Sequence, residues 1–175
     1  MAASKSVINV AALCGSLHSA SFNRGLILSA MKLSKEAIEE MEIEYVDISP
    51  LPLLNTDLIV GGKFPPAVEA FRQQILKADG VLFATAENNF SVSGLLSFAS
   101  SFVGLCLVVK KITETVNCYK SNAPLKNALD WASIAPNAWA DKPAAIISAG
   151  GTFGGGLSQL VFSLISMSLT SPTST

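Results

Sequence analysis

One histidine, three cysteines and little charge of either sign set the first limits on this 175-residue chain. The cysteines, Cys14, Cys106 and Cys118, are odd in number and lack Cys-x-x-Cys spacing. That argues against a disulfide framework or a zinc site, and it suits a reducing, cytoplasmic setting. With His18 as the single histidine, no Ser-His-Asp or Cys-His constellation is in view, and no metal site is expected. Charged residues make up 14% and the net charge is −1, which leaves no electrostatic footprint for nucleic acid or an anionic membrane surface. Met1 to Ser6 holds one lysine and no apolar run, so no secretory signal is expected. Two nucleotide signatures are also missing: the Gly-Lys-Ser/Thr ending of a P-loop and the Gly-x-Gly-x-x-Gly of a dinucleotide turn.

Apolar residues, at 50%, are plentiful, and the length suits one domain with a substantial core. Val7 to Leu13 reads as a buried strand, a helix-like segment runs from Leu26 to Ile38, and Leu26, Ala30, Leu33, Ala37 and Met41 recur at helical spacing behind the intervening loop. Glu42 to Ile48 reads as a shorter strand, and Pro50, Pro52 and Asn55 mark an extended loop. A helix is expected from Pro66, with Val68, Phe71, Ile75 and Leu76 on one face, and then a buried strand over Gly80 to Thr85. Ala144 to Ser148 is another short apolar strand. Alternation of helices with uniformly apolar strands predicts an α/β fold, a parallel sheet with helices on both faces.

Between the first strand and its helix lies Cys14-Gly15-Ser16-Leu17-His18-Ser19-Ala20-Ser21-Phe22-Asn23-Arg24. A strand that enters a helix through small and hydroxyl-bearing residues forms a candidate anion cradle, with Ser16, Ser21 and Asn23 as donors to a single phosphate. A plain loop ending in a helix cap explains the same residues without a ligand. Ligands in such sheets bind beyond the carboxyl ends of the strands, where the strand order reverses. Three turns fall at that edge: Gly15 to Asn23, Ala86 to Ser93 and Ser148 to Gly155.

The segments Gly15-Ser16-Leu17 with Ser21-Phe22-Asn23-Arg24, Asp47 to Asn55, Ala78-Asp79-Gly80, Glu87-Asn88-Asn89, Pro124 to Trp131 and Gly150 to Gly155 closely resemble the NADPH-dependent FMN reductase family, especially its plant quinone reductases. The resemblance runs collinearly over Lys5 to about Ser93 and Ala123 to about Gln159. It implies a flavodoxin-like three-layer sandwich with parallel sheet order 2-1-3-4(-5), FMN as cofactor, and a homodimer or homotetramer. It also implies transfer of two electrons from NADPH or NADH through FMN to a quinone or similar acceptor, with no catalytic side chain because the flavin carries the chemistry. On this resemblance Ser16, Ser21 and Asn23 hold the FMN phosphate, and His18 stands at a position that is often basic. Glu87, Asn88 and Asn89 match the second flavin loop, and Ser148, Gly150, Gly151 and Phe153 the third. Ala86 and Asn88 depart from the family's proline and aromatic residue in the second loop.

Two further departures are expected to matter. Residues 94–122 form an inserted segment within the single domain spanning 1–175, and the tail at 160–175 diverges where the family continues with another strand and helix. Loss of that strand would leave the fourth strand with an unpaired edge. Leu95 to Val109 is uncharged, but its serines and its position inside a sheet protein count against a membrane span. An extra helix or hairpin, or the product of a retained intron, fits it better. The alternative function is therefore an inactive splice or frameshift variant of such an enzyme, acting if at all through oligomerisation. A flavodoxin-type electron carrier is disfavoured because the chain is not strongly acidic.

Overall fold

A computed structural model describes residues 7–85, 87–88, 91–92 and 124–149. Four parallel strands form the central sheet: β1 (Ile8–Cys14), β2 (Met41–Val46), β3 (Gly80–Ala84) and, last in the chain, Ala144–Ile147, in the order β2, β1, β3, Ala144–Ile147. This is the 2-1-3-4 order that the resemblance implies. Between the third and fourth of these strands, Glu87–Asn88 (β4) and Ser91–Val92 (β5) pair antiparallel as a separate ribbon, so the final strand is β6. Helices α1 (Phe22–Ala37), α2 (Pro66–Lys77) and α3 (Pro124–Ser133) complete the described elements, with a short 3-10 turn at Thr56–Leu58.

Successive side chains of a strand point to opposite faces, and β1 and β3 are apolar on both. Ala11, Leu13, Val81 and Phe83 join the cluster built with Phe71 and Ile75 of α2 and Leu125 and Leu129 of α3. Ala12, Cys14, Leu82 and Ala84 join Ile27 of α1 and Ile43 of β2 on the other face. The sheet is thus the middle of three layers. The chain leaves β1 for β2 on one side and, through α2, reaches β3 on the other, so the strand order reverses between β1 and β3. The ligand crevice of open parallel sheets lies at that point, beyond the strands' carboxyl ends.

Several boundaries and faces differ from expectation. The first strand starts one residue later, at Ile8, and runs one residue further, to Cys14, while Val7 and Ile8 are nearly half exposed. Helix α1 starts at Phe22 rather than Leu26, because Ser21 caps it with its hydroxyl accepting from the Asn23 N–H. Its buried face is not the Leu26, Ala30, Leu33, Ala37 stripe. Asn23, Ile27 and Ser34 are buried, with Ala30 and Met31 packed beside them, and Leu33 is 61% exposed. The winning stripe contains two polar residues, which a count of apolar residues passes over. Both are satisfied, Ser34 by donating to the Met41 carbonyl at 2.8 Å and Asn23 as described below.

In α2 the expected face holds for Val68, Phe71 and Ile75, but Leu76 is half exposed and Arg72 takes the buried place, 3% exposed. Its guanidinium donates to the Trp131, Ile134 and Pro136 carbonyls at 3.0, 3.0 and 2.6 Å and lies 4.3 Å from the Phe64 ring centre. Five planar donors suit three carbonyls left by a helix end and the turn after it. Burial pushes the Arg72 pKa down, with Glu69 acting weakly the other way. From α3, the Asn127 amide donates to the Pro52 carbonyl and accepts from the Leu54 N–H, both at 2.8 Å, pinning the proline-rich loop after β2.

Candidate functional site

The turn after β1 is anchored at its base, where the Gly15 N–H donates to the Ala84 carbonyl of β3 at 2.8 Å. Beyond that it is held by longer, local bonds. The Ser16 hydroxyl oxygen accepts from the His18 N–H at 3.3 Å, His18 Nδ1 accepts from the Ala20 N–H at 3.3 Å, and the Ser21 N–H donates to the His18 carbonyl at 3.1 Å. Acceptance at Nδ1 leaves Nε2–H as the ring's donor on an exposed side chain. The Ser16 hydroxyl oxygen accepts from His18 and that of Ser21 from the Asn23 N–H, both through lone pairs, so each keeps its O–H for a ligand.

The start of α1 carries no acidic residue, although helix amino termini attract them. Arg24 stands in the first turn instead, 5.5 Å from the Tyr45 ring centre. An uncompensated helix end, two hydroxyls and a guanidinium make this turn electropositive without committing it to any carboxylate. Beneath it, Cys14 is buried and free. Burial raises its thiol pKa, against weaker opposing effects from the Ser16 backbone N–H and Arg24. Tyr45 is likewise raised, chiefly by burial. A neutral, unreactive thiol at this place packs as a small apolar residue.

Asn23, grouped in the sequence with Ser16 and Ser21, spends its amide on main chain. Its Nδ2 donates to the Ala149 carbonyl at 3.0 Å and its Oδ1 accepts from the Ala149 N–H at 2.8 Å. Ala149 follows β6 by two residues, so the first and third turns are bound together across the sheet edge. The Thr85 N–H donates to the Ile147 carbonyl at 2.9 Å and ties the ends of β3 and β6 together. The described residues thus join the first turn to the start of the third; most of the second turn and the rest of the third lie outside the described residues.

Thr85 was not among the candidate residues. It is fully buried at the end of β3, and its hydroxyl is the one buried side-chain polar atom without a hydrogen-bond partner among the described residues. A buried orphan hydroxyl is costly and calls for an explanation. A ligand that reaches the strand ends supplies one. The signal in the sequence was its position, a hydroxyl closing an otherwise apolar strand.

Of the other candidates, Ser148 is half-buried at the end of β6, with a partner of its own. Glu87 and Asn88 lie in the β4–β5 ribbon, opposite Val92 and Ser91. Asn89, Gly150, Gly151 and Phe153 lie outside the described residues, as do all of 94–122 and 160–175. No cluster of three or more His, Cys, Asp or Glu residues suited to a metal occurs among the described residues, and no helix there is long and apolar enough to cross a membrane. A groove of about 570 Å³ opens at the opposite, amino-terminal edge of the sheet beside Lys35, Glu42 and Lys77, remote from these turns.

The geometry has counterparts in known proteins. The chain is 55% identical over 155 residues to an NADPH:quinone oxidoreductase of Arabidopsis thaliana, which covers 89% of this chain and 64% of that protein. It is 52% identical over 157 residues to an NAD(P)H:quinone oxidoreductase of Solanum tuberosum, covering 90% and 66%. The chain thus spans just under two thirds of the length of these relatives. Among solved structures, the flavoenzyme FerB, an NAD(P)H:(acceptor) oxidoreductase from Paracoccus denitrificans, superposes with a TM-score of 0.69 at 28% identity over 94% of this chain and 73% of that one. The azoreductase AzrA, at 15% identity and a TM-score of 0.57 over 94% of this chain and 83% of that one, supports the flavodoxin-like fold alone. The family model for NADPH-dependent FMN reductases matches residues 8–103 and 117–168. It breaks off over 104–116, inside the expected insert, and runs on into the segment expected to diverge. On the extent of that match, this chain belongs to the NADPH-dependent FMN reductase family.

Proposed function

We propose that the chain binds FMN at the carboxyl edge of its sheet and acts as an NAD(P)H:quinone oxidoreductase. The observation that carries this reading is the meeting of an uncommitted, electropositive turn with the orphan Thr85 hydroxyl at the point where the strand order reverses. The donor set fits a flavin mononucleotide. Ser16 and Ser21 donate hydroxyl hydrogens to the phosphate, the amino terminus of α1 adds its dipole, and His18 Nε2–H and Arg24 lie close by in sequence. The buried Thr85 hydroxyl gains a polar partner from the chain of the cofactor that leads away from the phosphate.

In the same reading Glu87, Asn88 and Asn89 contact the ribityl chain and ring, and Ser148, Gly150, Gly151 and Phe153 border the ring edge. FMN, when bound, would supply the redox chemistry, namely hydride transfer from NADPH or NADH and two-electron reduction of a quinone. The residues of the chain orient that group, exclude water from its inner edge and keep nucleophiles away. The raised pKa of Cys14 serves the last purpose, since a buried neutral thiol does not attack an electrophilic quinone. A dimer or tetramer and a reducing, cytoplasmic setting belong to this proposal, the latter because the buried Cys14 is free.

The test is reconstitution. The purified chain is mixed with FMN, freed of unbound flavin by gel filtration, and followed by visible absorbance before and after anaerobic NADPH. Flavin that travels with the protein and bleaches supports the reductase. A folded protein peak without flavin supports the inactive variant.

A further inference from the structure

We infer that Asn23 is a positioning residue: it fixes the third turn against the phosphate turn, so that the two ends of the cofactor site are held as one unit. The inference rests on the proposed FMN site and assigns Asn23 a role other than donation to the phosphate.

The side chain is 5% exposed and pairs with both main-chain polar groups of a single residue, Ala149, 126 residues away in sequence, at 3.0 and 2.8 Å. A carboxamide offers a donor and an acceptor side by side, so it meets Ala149 as a neighbouring strand would. Aspartate lacks the donor and alanine lacks both. The backbone of Asn23 is tied just as firmly to the other turn, since its N–H donates to the Ser21 hydroxyl at 3.2 Å. One residue therefore touches the hydroxyl that caps α1 and the main chain that enters the third turn. Any displacement of Ala149 is transmitted through Asn23 to Ser21. The companion bonds from Gly15 to Ala84 and from Thr85 to Ile147 hold the strands at the same level, but neither reaches α1.

The experiment compares the full chain with Asn23→Ala and Asn23→Asp, measuring affinity for FMN and for riboflavin at neutral and mildly acidic pH. Riboflavin lacks the phosphate, so its binding reports the third turn without a phosphate contact. Both variants are expected to bind both flavins about tenfold more weakly at neutral pH, as loss of a buried hydrogen-bonded pair requires. In acid, Asn23→Asp recovers, because a neutral carboxylic acid again presents a donor beside an acceptor, and Asn23→Ala does not. Unchanged riboflavin affinity with weakened FMN binding would reduce Asn23 to a phosphate ligand and overturn the inference. So would an Asn23→Asp variant that acid does not rescue.

Amide exchange of the flavin-free wild-type chain and of Asn23→Ala provides a readout that needs no cofactor. Protection of the Ala149 N–H is expected in the wild type and lost in the variant, and equal protection in both overturns the inference. Should the variants fail to fold, the wild type alone decides: FMN must slow exchange at both Ser21 and Ala149, and slowing at Ser21 alone refutes the coupling. A wild-type chain that binds neither flavin refutes the proposed function, whereas the exchange comparison still reports on the tie itself.

Discussion

Two turns of this molecule are built from similar lengths of chain and to opposite ends. The turn from Ile134 to Trp139 directs its polar groups inward. Arg72 takes three carbonyls in and just before it, the Ala138 N–H reaches the Ala132 carbonyl at 2.8 Å, and the Trp139 indole donates to the Leu129 carbonyl at 3.0 Å while its ring packs on Phe71 and Phe83. The turn from Gly15 to Ser21 makes bonds of 3.1 to 3.3 Å among its own members and turns hydroxyl hydrogens, a ring N–H and a helix end outward. Rigidity is spent in the first so that adaptability is available in the second. A binding turn of this kind relies on rigid elements behind it for its position.

That contrast can be broken by substitution. Trp139→Ala should cost the most, about 4 kcal/mol, because a large ring leaves a cavity between α2 and the sheet. Urea denaturation would read this as a lower midpoint at unchanged slope. Arg72→Met keeps much of the stem's packing but strips three carbonyls of their donor, and a loss of about 3 kcal/mol is expected in the same measurement. Removing the cap with Ser21→Ala should cost about 1 kcal/mol. Ser16→Ala should change stability by less than about 0.5 kcal/mol, yet weaken FMN binding severalfold. A stability loss at Ser16 as large as that at Arg72 would erase the distinction between the turns.

The smallest effect is expected from pH. Cys14 and Tyr45 both have pKa values raised by burial, so the folded chain retains protons that the unfolded chain releases. Their contribution is complete below the ordinary thiol range and is lost as pH rises through the folded values. A shallow fall in thermal midpoint on the alkaline side, reduced in Cys14→Ala, is the outcome to look for.

Much of this was legible in the sequence, for identifiable reasons. Strands β1 and β3 are buried on both faces, so their apolar runs are unbroken and easy to read. The first turn announced itself by its Ser, Gly and Asn content. What escaped was polar burial. Arg72 displaced Leu76 from the buried face because a guanidinium that meets three carbonyls is cheaper to bury than hydropathy suggests. Thr85 escaped because an orphan hydroxyl is visible only once its surroundings are known. The role of Asn23 escaped because its partner lies at the far end of the described chain.

The two buried polar residues of α1 have one more consequence. Asn23 and Ser34 sit on the same stripe, three turns and about 16 Å apart, one bonded to Ala149 just past the carboxyl end of β6 and the other to Met41 at the amino end of β2. The rival stripe through Leu26 and Leu33 is the more apolar, and a helix rolled by one residue would bury it instead. Such a roll would strand both polar side chains away from their carbonyls. The pair therefore fixes the rotation of the helix about its own axis, much as two wards decide which key turns a lock, and the more greasy solution is refused.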